Sequence, residues 1–444
     1  MSDCLVQTAL GAIMGTQEAD CRRFPAIPYA ITERFTLPQP YGPWEVVLDA
    51  RGEPKDCWQY ASFRDEGASD FPFYYEEFRR GRRFQYAESP MYLSVTTPPE
   101  PKNCPVLVFI HGGGHETDMV GELPWGDSAE YARRGVILVS VGYRLNVFHL
   151  FRSQNYGLHD QVAAIRWVRA HIAAFGGDPE RITLMGQSAG AMSIMDLCYS
   201  DTLAGLVRGA VLMSGAGLVP APTGPWTEEQ SRPFWDAVRA RAGVETDEAL
   251  RTLEPEKLWT AWYGQSRDPY DFHAVQPGID GTLIPDLPQR LRARGKILNI
   301  PMIVGVTAQD MMPYLIFEMA YSLARWSAAS GREPVYGYLF DRVLPGNRFG
   351  AFHGADLWYM FGNMDKSWRP FAPADEALKD QMIDYVANFV RYGDPNGAGL
   401  PIWRAVTKRQ QGFRHFDGAD GGMISPLEIR RKMAHTWLRD KGPM

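Results

Sequence analysis

The chain has 444 residues, 45% hydrophobic and 22% charged, with a formal net charge of −6. This balance excludes a disordered chain and a basic footprint for DNA or RNA, and no run approaches the roughly 18 to 20 uninterrupted apolar residues of a membrane-spanning helix. A soluble chain folded as one large domain over 1–444, with insertions, is expected.

The N-terminus, MSDCLVQTALGAIMG, reads as an opening strand pair that turns at Gly11, with a second glycine at Gly15. It lacks a basic n-region, and Gln7, Thr8 and Gly11 interrupt its apolar stretch, so no secretory signal is expected. Cys4, Cys21, Cys57, Cys104 and Cys198 are scattered, odd in number and without C-x-x-C spacing. Neither a zinc site nor a disulfide framework follows, and a reducing cytoplasm is the expected location. Residues 61–87 mix aromatic side chains with Arg79, Arg80, Arg82 and Arg83; such charge runs are most often solvated, so a surface loop is predicted.

Next come five short β-branched runs: PVLVFI (105–110), GVILVSVGY (135–143), RITLMG (181–186), GAVLMSG (209–215) and IPMIVGV (300–306). Each is too short for a helix and bounded by glycine or polar residues, which predicts buried strands of a largely parallel sheet. Between the second and third, Val162, Ile165, Val168 and Ile172 recur at helical spacing until Gly176-Gly177 stops the helix. Strand, helix, strand implies a right-handed crossover and an α/β fold. Residues 221–275 begin rich in Pro, Thr and Glu and continue as tryptophan-bearing amphipathic segments, predicted to form part of a helical cap over the C-terminal edge of the sheet.

The chemistry follows from what ends these strands. RITLM runs into Gly186-Gln187-Ser188-Ala189-Gly190, where flanking glycines permit the sharp strand-to-helix turn that lifts a nucleophilic hydroxyl clear of the sheet. A serine hydroxyl needs a histidine base, itself oriented by a carboxylate. MIVGVTAQD sets Asp310 just past a strand's C-terminal end, and His353 in RFGAFHGAD follows it, so nucleophile, acid and base occur in the order Ser, Asp, His. VLVFIHGGGHE ends a strand in Gly112-Gly113-Gly114; the amides of Gly113 and Gly114, with that of Ala189 after the nucleophile, are the candidate oxyanion donors. His111 and His115 have a spacing that would suit zinc on a helix, but the intervening glycines argue against a helix and hence against zinc.

On these motifs the chain resembles the carboxylesterase type B, or cholinesterase-like, family of α/β-hydrolases. The resemblance extends through FPAIPYA, HGGG, YRLNVF, NYGLHDQVAAIRWV, FGGDPERITLMGQSAGA, IDGTLIPDLP, GAFHGADLWYMFG and NFVRYGDPNGAGLPIW. It implies an α/β-hydrolase fold and ester hydrolysis through an acyl-enzyme without metal or cofactor. Ser188 would be the nucleophile, Asp310 the acid, His353 the base, and Gly113, Gly114 and Ala189 the oxyanion hole.

Four departures from the family pattern carry expectations of their own. The acid is Asp310 where glutamate is usual. Gln187 replaces a glutamate before the serine and removes a negative charge near the site, which argues against a cationic choline ester. Met91 stands where secreted relatives place the disulfide partner of the cysteine at Cys57. His115 replaces the usual phenylalanine after the glycines; His115, Glu116 and Gln187 are candidates for the substrate pocket. The resemblance also implies a buried pair between Arg144 and Asp178. The expected partner is a small or medium ester, with neither nucleic acid nor membrane involved; amide, carbamate or lactone hydrolysis at the same serine is the alternative. Aromatic content favours an apolar or aromatic ester, while the arginines would suit a carboxylate-bearing one.

Overall fold

A computed structural model describes residues 2–63, 72–82, 84–118, 120, 125–126, 128–218, 225–266, 274–346, 349–418 and 421–439. Its centre is a thirteen-stranded mixed sheet: β1 (Ser2–Thr8), β2 (Gly11–Gln17), β3 (Arg22–Pro28), β4 (Leu48–Asp49), β5 (Tyr92–Thr97), β6 (Cys104–Ile110), β7 (Ile137–Val141), β8 (Gly177–Gln187), β9 (Gly209–Met213), β10 (Met302–Thr307), β11 (Val335–Phe340), β12 (Phe413–Phe416) and β13 (Met423–Ile424). The order is β1-β2-β3-β5-β7-β6-β8-β9-β10-β11-β12-β13, with β4 on β2. From β7 to β12 every pairing is parallel, while β1, β2, β3 and β5 form an antiparallel wing.

Every residue of β6, β7, β9, β10 and β11 is buried, as expected where helices cover both faces of a parallel sheet. The expected opening hairpin is present, with Thr8 opposite Gly11. The predicted crossover helix is α2 (Tyr156–His171), which buries Val162, Ile165 and Val168. It tightens into a 3-10 turn over Ile172–Phe175 and ends at Gly176, whose φ of 78° is the left-handed cap that the glycine pair predicted. Truncating Ile165 to alanine would cost about 2–5 kcal/mol, because its contacts lie in a closed core.

The segment predicted as a cap over 221–275 contains three helices, Glu228–Ala242, Asp247–Thr252 and Pro255–Gln265; residues 221–224 and 267–273 lie outside the described residues. Trp235 packs on Phe35 and Phe151, and Trp259 on Tyr60 and Phe63, which fastens these helices to loops of the N-terminal half. Among the described residues, no helix is long and apolar enough to cross a membrane.

Two sequence expectations need correction. The stretch 61–87 is not simply a solvated loop: α1 (Pro72–Phe78) carries Glu77 inward to a bidentate pair with Arg369, 2.7 Å at each oxygen, both side chains wholly buried. Arg79 is buried against Gln59 and Asp118, while Arg80 remains exposed beside Glu76, and Arg83 lies outside the described residues. Buried opposite charges therefore draw part of the run inside. Nor does Arg144 pair with Asp178. It makes a fully buried bidentate pair with Asp160 of α2, at 2.7 and 2.8 Å, and Asp178 bonds Arg181 instead. The reason lies in strand direction. Arg144 follows the C-terminal end of β7, whereas Asp178 opens β8 opposite the start of β6, roughly 20 Å away along seven residues of strand.

Candidate active site

Four C-terminal strand ends meet on one edge of the sheet, where open α/β sheets hold their sites. β6 delivers His111 to Gly114, β8 delivers Ser188, β10 leads to Asp310, and β11 leads toward His353.

Ser188 joins β8 to the helix α3 (Ala189–Cys198) with φ 53° and ψ −124°. A non-glycine residue in this region costs about 1–3 kcal/mol, and the surroundings must over-determine it. They do so through the Ser188 amide, which donates to Met213 O at 2.8 Å, and the Ser188 carbonyl, which accepts from Met192 at 3.0 Å. The flanking glycines are steric necessities. A Cβ on Gly190 would lie 2.1 Å from Ile110 O, and one on Gly186 would lie 2.6 Å from the Gly190 carbonyl. The turn can be this tight only without those side chains.

His353 and Asp310 come together. Nδ1 lies 2.5 Å from Asp310 Oδ1, and both side chains are almost fully buried. Asp310 is itself held by the Met311 amide at 2.8 Å and the Thr307 hydroxyl at 2.9 Å. The two loops are laced by Gln309, whose amide donates to Ala351 O at 3.0 Å and whose side-chain oxygen accepts from the Ala351 amide at 2.6 Å. Burial opposes the imidazolium of His353, but the charge and hydrogen bond of Asp310, with a contribution from Asp356, outweigh it and hold the base above its ordinary 6.5. Burial likewise opposes the carboxylate of Asp310, and the imidazole's charge and hydrogen bond reverse it.

His353 Nε2 faces Gln187 Nε2 at 3.1 Å. In the neutral ring with its proton on Nδ1 toward Asp310, Nε2 holds a lone pair that accepts from this amide nitrogen. Among the described residues the bond to Nε2 thus comes from Gln187, not from Ser188 Oγ. Gln187 is buried, with its side-chain amide at the base.

The glycine loop abuts the nucleophile: a Cβ on Gly112 would lie 2.7 Å from Gln187 O and 3.0 Å from Ser188 Cβ. Gly113 and Gly114 follow with φ 79° and 66°, and both reach the surface. Ala189 opens α3, so its amide has no acceptor within the helix. The glycine loop and the first turn of α3 thus flank Ser188, and the amides of Gly113, Gly114 and Ala189 lie on these two segments. Glu116 lies half-buried, its carbonyl taken by Asn146 at 3.2 Å. His115 is buried and bonds protein atoms on both ring nitrogens, and His111 stacks on Tyr143, so the two rings serve different partners.

Sequence reasoning missed Asp356, three residues beyond His353. Its Oδ2 accepts from Tyr338 at 2.6 Å, and burial pushes the carboxyl up to about 6, with Asp310 adding to the rise. The signal available was its place in His-Gly-Ala-Asp, but nothing in that spacing reveals a tyrosine on β11.

A family model described as the carboxylesterase family matches residues 2–323 and 309–424. The chain belongs to this family. The para-nitrobenzyl esterase of Bacillus subtilis (strain 168) is 30% identical over 433 residues, covering 82% of this chain and 84% of that protein. Cocaine esterase of Homo sapiens is 27% identical over 495 residues, covering 90% and 85%. A solved PNB esterase structure aligns with a TM-score of 0.80 at 26% identity, over 97% of this chain and 99% of that one. The carboxylesterase therefore has the α/β-hydrolase fold that the resemblance implied, and it is a carboxylic ester hydrolase.

Proposed function

We propose that this carboxylesterase hydrolyses small to medium apolar or aromatic esters through an acyl-enzyme on Ser188. One observation carries the reading: a strained serine turn, a buried imidazole-carboxylate pair and a glycine loop abutting the serine share one sheet edge. Ser188 Oγ displaces Gln187 from His353 Nε2, gives its proton to that nitrogen and attacks the ester carbonyl. The oxyanion rests on the amides of Gly113, Gly114 and Ala189. His353 returns the proton to the departing alcohol, leaving the acyl group on Ser188. Water, deprotonated by the same nitrogen, then releases the acid. Asp310 holds the tautomer and balances the imidazolium without taking the proton.

Apolar substrates are supported by Phe73, which packs edge-on against Phe349 and Phe352 beside His353, and by Met311, Met312 and Tyr314, which stand exposed next to Asp310. Recognition of a carboxylate by the arginine run finds less support, since Arg79 is occupied and Arg80 is paired. A reducing compartment fits Cys57, whose sulfur accepts the Leu145 amide at 3.2 Å. The test is hydrolysis of a p-nitrophenyl ester series by the wild type and by Ser188→Ala. Loss of turnover in the variant with a short-chain optimum is expected; equal rates would overturn the assignment.

A further inference from the structure

Gly113, Gly114 and His115 are three consecutive residues with left-handed φ, 79°, 66° and 60°. Two are glycines, for which this region is free; the third is not. Left-handed backbone at a buried histidine persists only where its surroundings fix it, and here the side chain does the fixing. His115 Nδ1 lies 3.1 Å from Val275 O and Nε2 lies 2.9 Å from Ser193 Oγ. A carbonyl only accepts, so Nδ1 donates to Val275, while Nε2 shares a hydrogen bond with the Ser193 hydroxyl. The Ser193 oxygen in turn accepts from Gln161 of α2 at 3.2 Å. His149 stacks on the ring at 4.5 Å between centroids and 11° between planes. Burial pushes the His115 imidazole down to about 4, with the Val275 and Ala189 carbonyls drawing it partly back, so at neutral pH it is the uncharged ring that this network requires.

Ser193 sits one turn into α3, the helix that opens with Ala189. The side chain therefore ties the two halves of the proposed oxyanion hole to each other: the left-handed turn bearing the Gly113 and Gly114 amides, and the helix bearing that of Ala189. We infer that His115 is the positioning residue of the oxyanion hole, locking these amides into one rigid arrangement through Ser193, and that its bond to the Val275 carbonyl, in a turn beyond the helix Pro255–Gln265, anchors that lock. This rests on the assignment of those three amides as the oxyanion donors.

The test compares Ser193→Ala, His115→Asn and His115→Phe with the wild type. The readouts are p-nitrophenyl butyrate kinetics across pH, the affinity for an alkyl trifluoromethyl ketone, which adds Ser188 Oγ to give a tetrahedral oxyanion, and thermal unfolding. Asparagine tolerates left-handed backbone and keeps a short polar group, so His115→Asn separates loss of the tether from loss of the turn. In Ser193→Ala and His115→Phe, kcat is expected to fall about 10- to 100-fold with KM within about 3-fold. Ketone affinity should fall by the same factor, and the acid limb should stay where the wild type has it, because His353 is untouched. His115→Asn should recover part of the loss. The proposal is overturned if kcat holds in any folded variant lacking the tether, if the loss falls on KM, or if ketone affinity survives a fall in kcat. Failure of the underlying reading looks different: the wild type itself would then not bind the ketone, or Ser188→Ala would retain turnover.

Discussion

Two loops of this carboxylesterase each bury a histidine behind the same edge of the sheet, and the two imidazoles are driven in opposite directions. His115, facing a carbonyl and a hydroxyl, is pushed down to about 4; His353, facing the carboxylate of Asp310, is held above 6.5. Burial acts against the charged form in both. What differs is the partner: neutral dipoles do not repay the lost hydration of an imidazolium, whereas a carboxylate in hydrogen-bond contact does. The first ring is thereby a fixed strut and the second a proton carrier.

The comparison breaks most completely if the carboxylate is removed. Asp310→Asn should lower kcat by a factor on the order of 10⁴, because the amide favours the wrong tautomer. Steady-state kinetics on a p-nitrophenyl ester check this, and a loss under tenfold would mean that the imidazole does not depend on Asp310.

A buried ion pair elsewhere tests the same principle through stability. Arg144→Ala would leave Asp160 buried without its bidentate partner, an expected cost of about 3–5 kcal/mol in urea unfolding. Asp178→Ala, at the more exposed pair with Arg181, should cost about 1 kcal/mol or less. Equal costs would contradict the pairing described above.

Smaller changes sharpen the contrast. The base acts when neutral, so its raised pKa sets the sign: kcat/KM should fall as pH drops through a midpoint above 6.5, and a pH profile with its midpoint at or below that value would refute it. Gln187→Glu sets a carboxylate where the amide now meets Nε2, which favours the imidazolium and should raise the midpoint by about one unit. An unmoved acid limb in this variant would mean that residue 187 does not contact the base in solution.

Much of this arrangement was legible before any coordinates. The strand runs, the crossover helix and the order Ser188, Asp310, His353 follow from periodicity and motif, which are local properties of the chain. Pairings were less legible. The resemblance pointed Arg144 to Asp178, but parallel strands put those residues at opposite ends of the sheet. The arginines of 79–83 read as one charged surface, because a sequence cannot reveal that Glu77 and Arg79 meet Arg369 and Asp118 from distant segments. His115 showed only as a departure from a family pattern; Ser193 and Val275 lie 78 and 160 residues away.

By itself, then, the sequence determined which residues end which strands and which chemical groups those ends carry, since alternation, helical spacing and glycine turns are written within a few neighbours. Only the tertiary structure decided what each buried polar group faces. That decision rests on long-range packing, and in a low-dielectric interior it is the facing group that sets whether a histidine is a strut or a base.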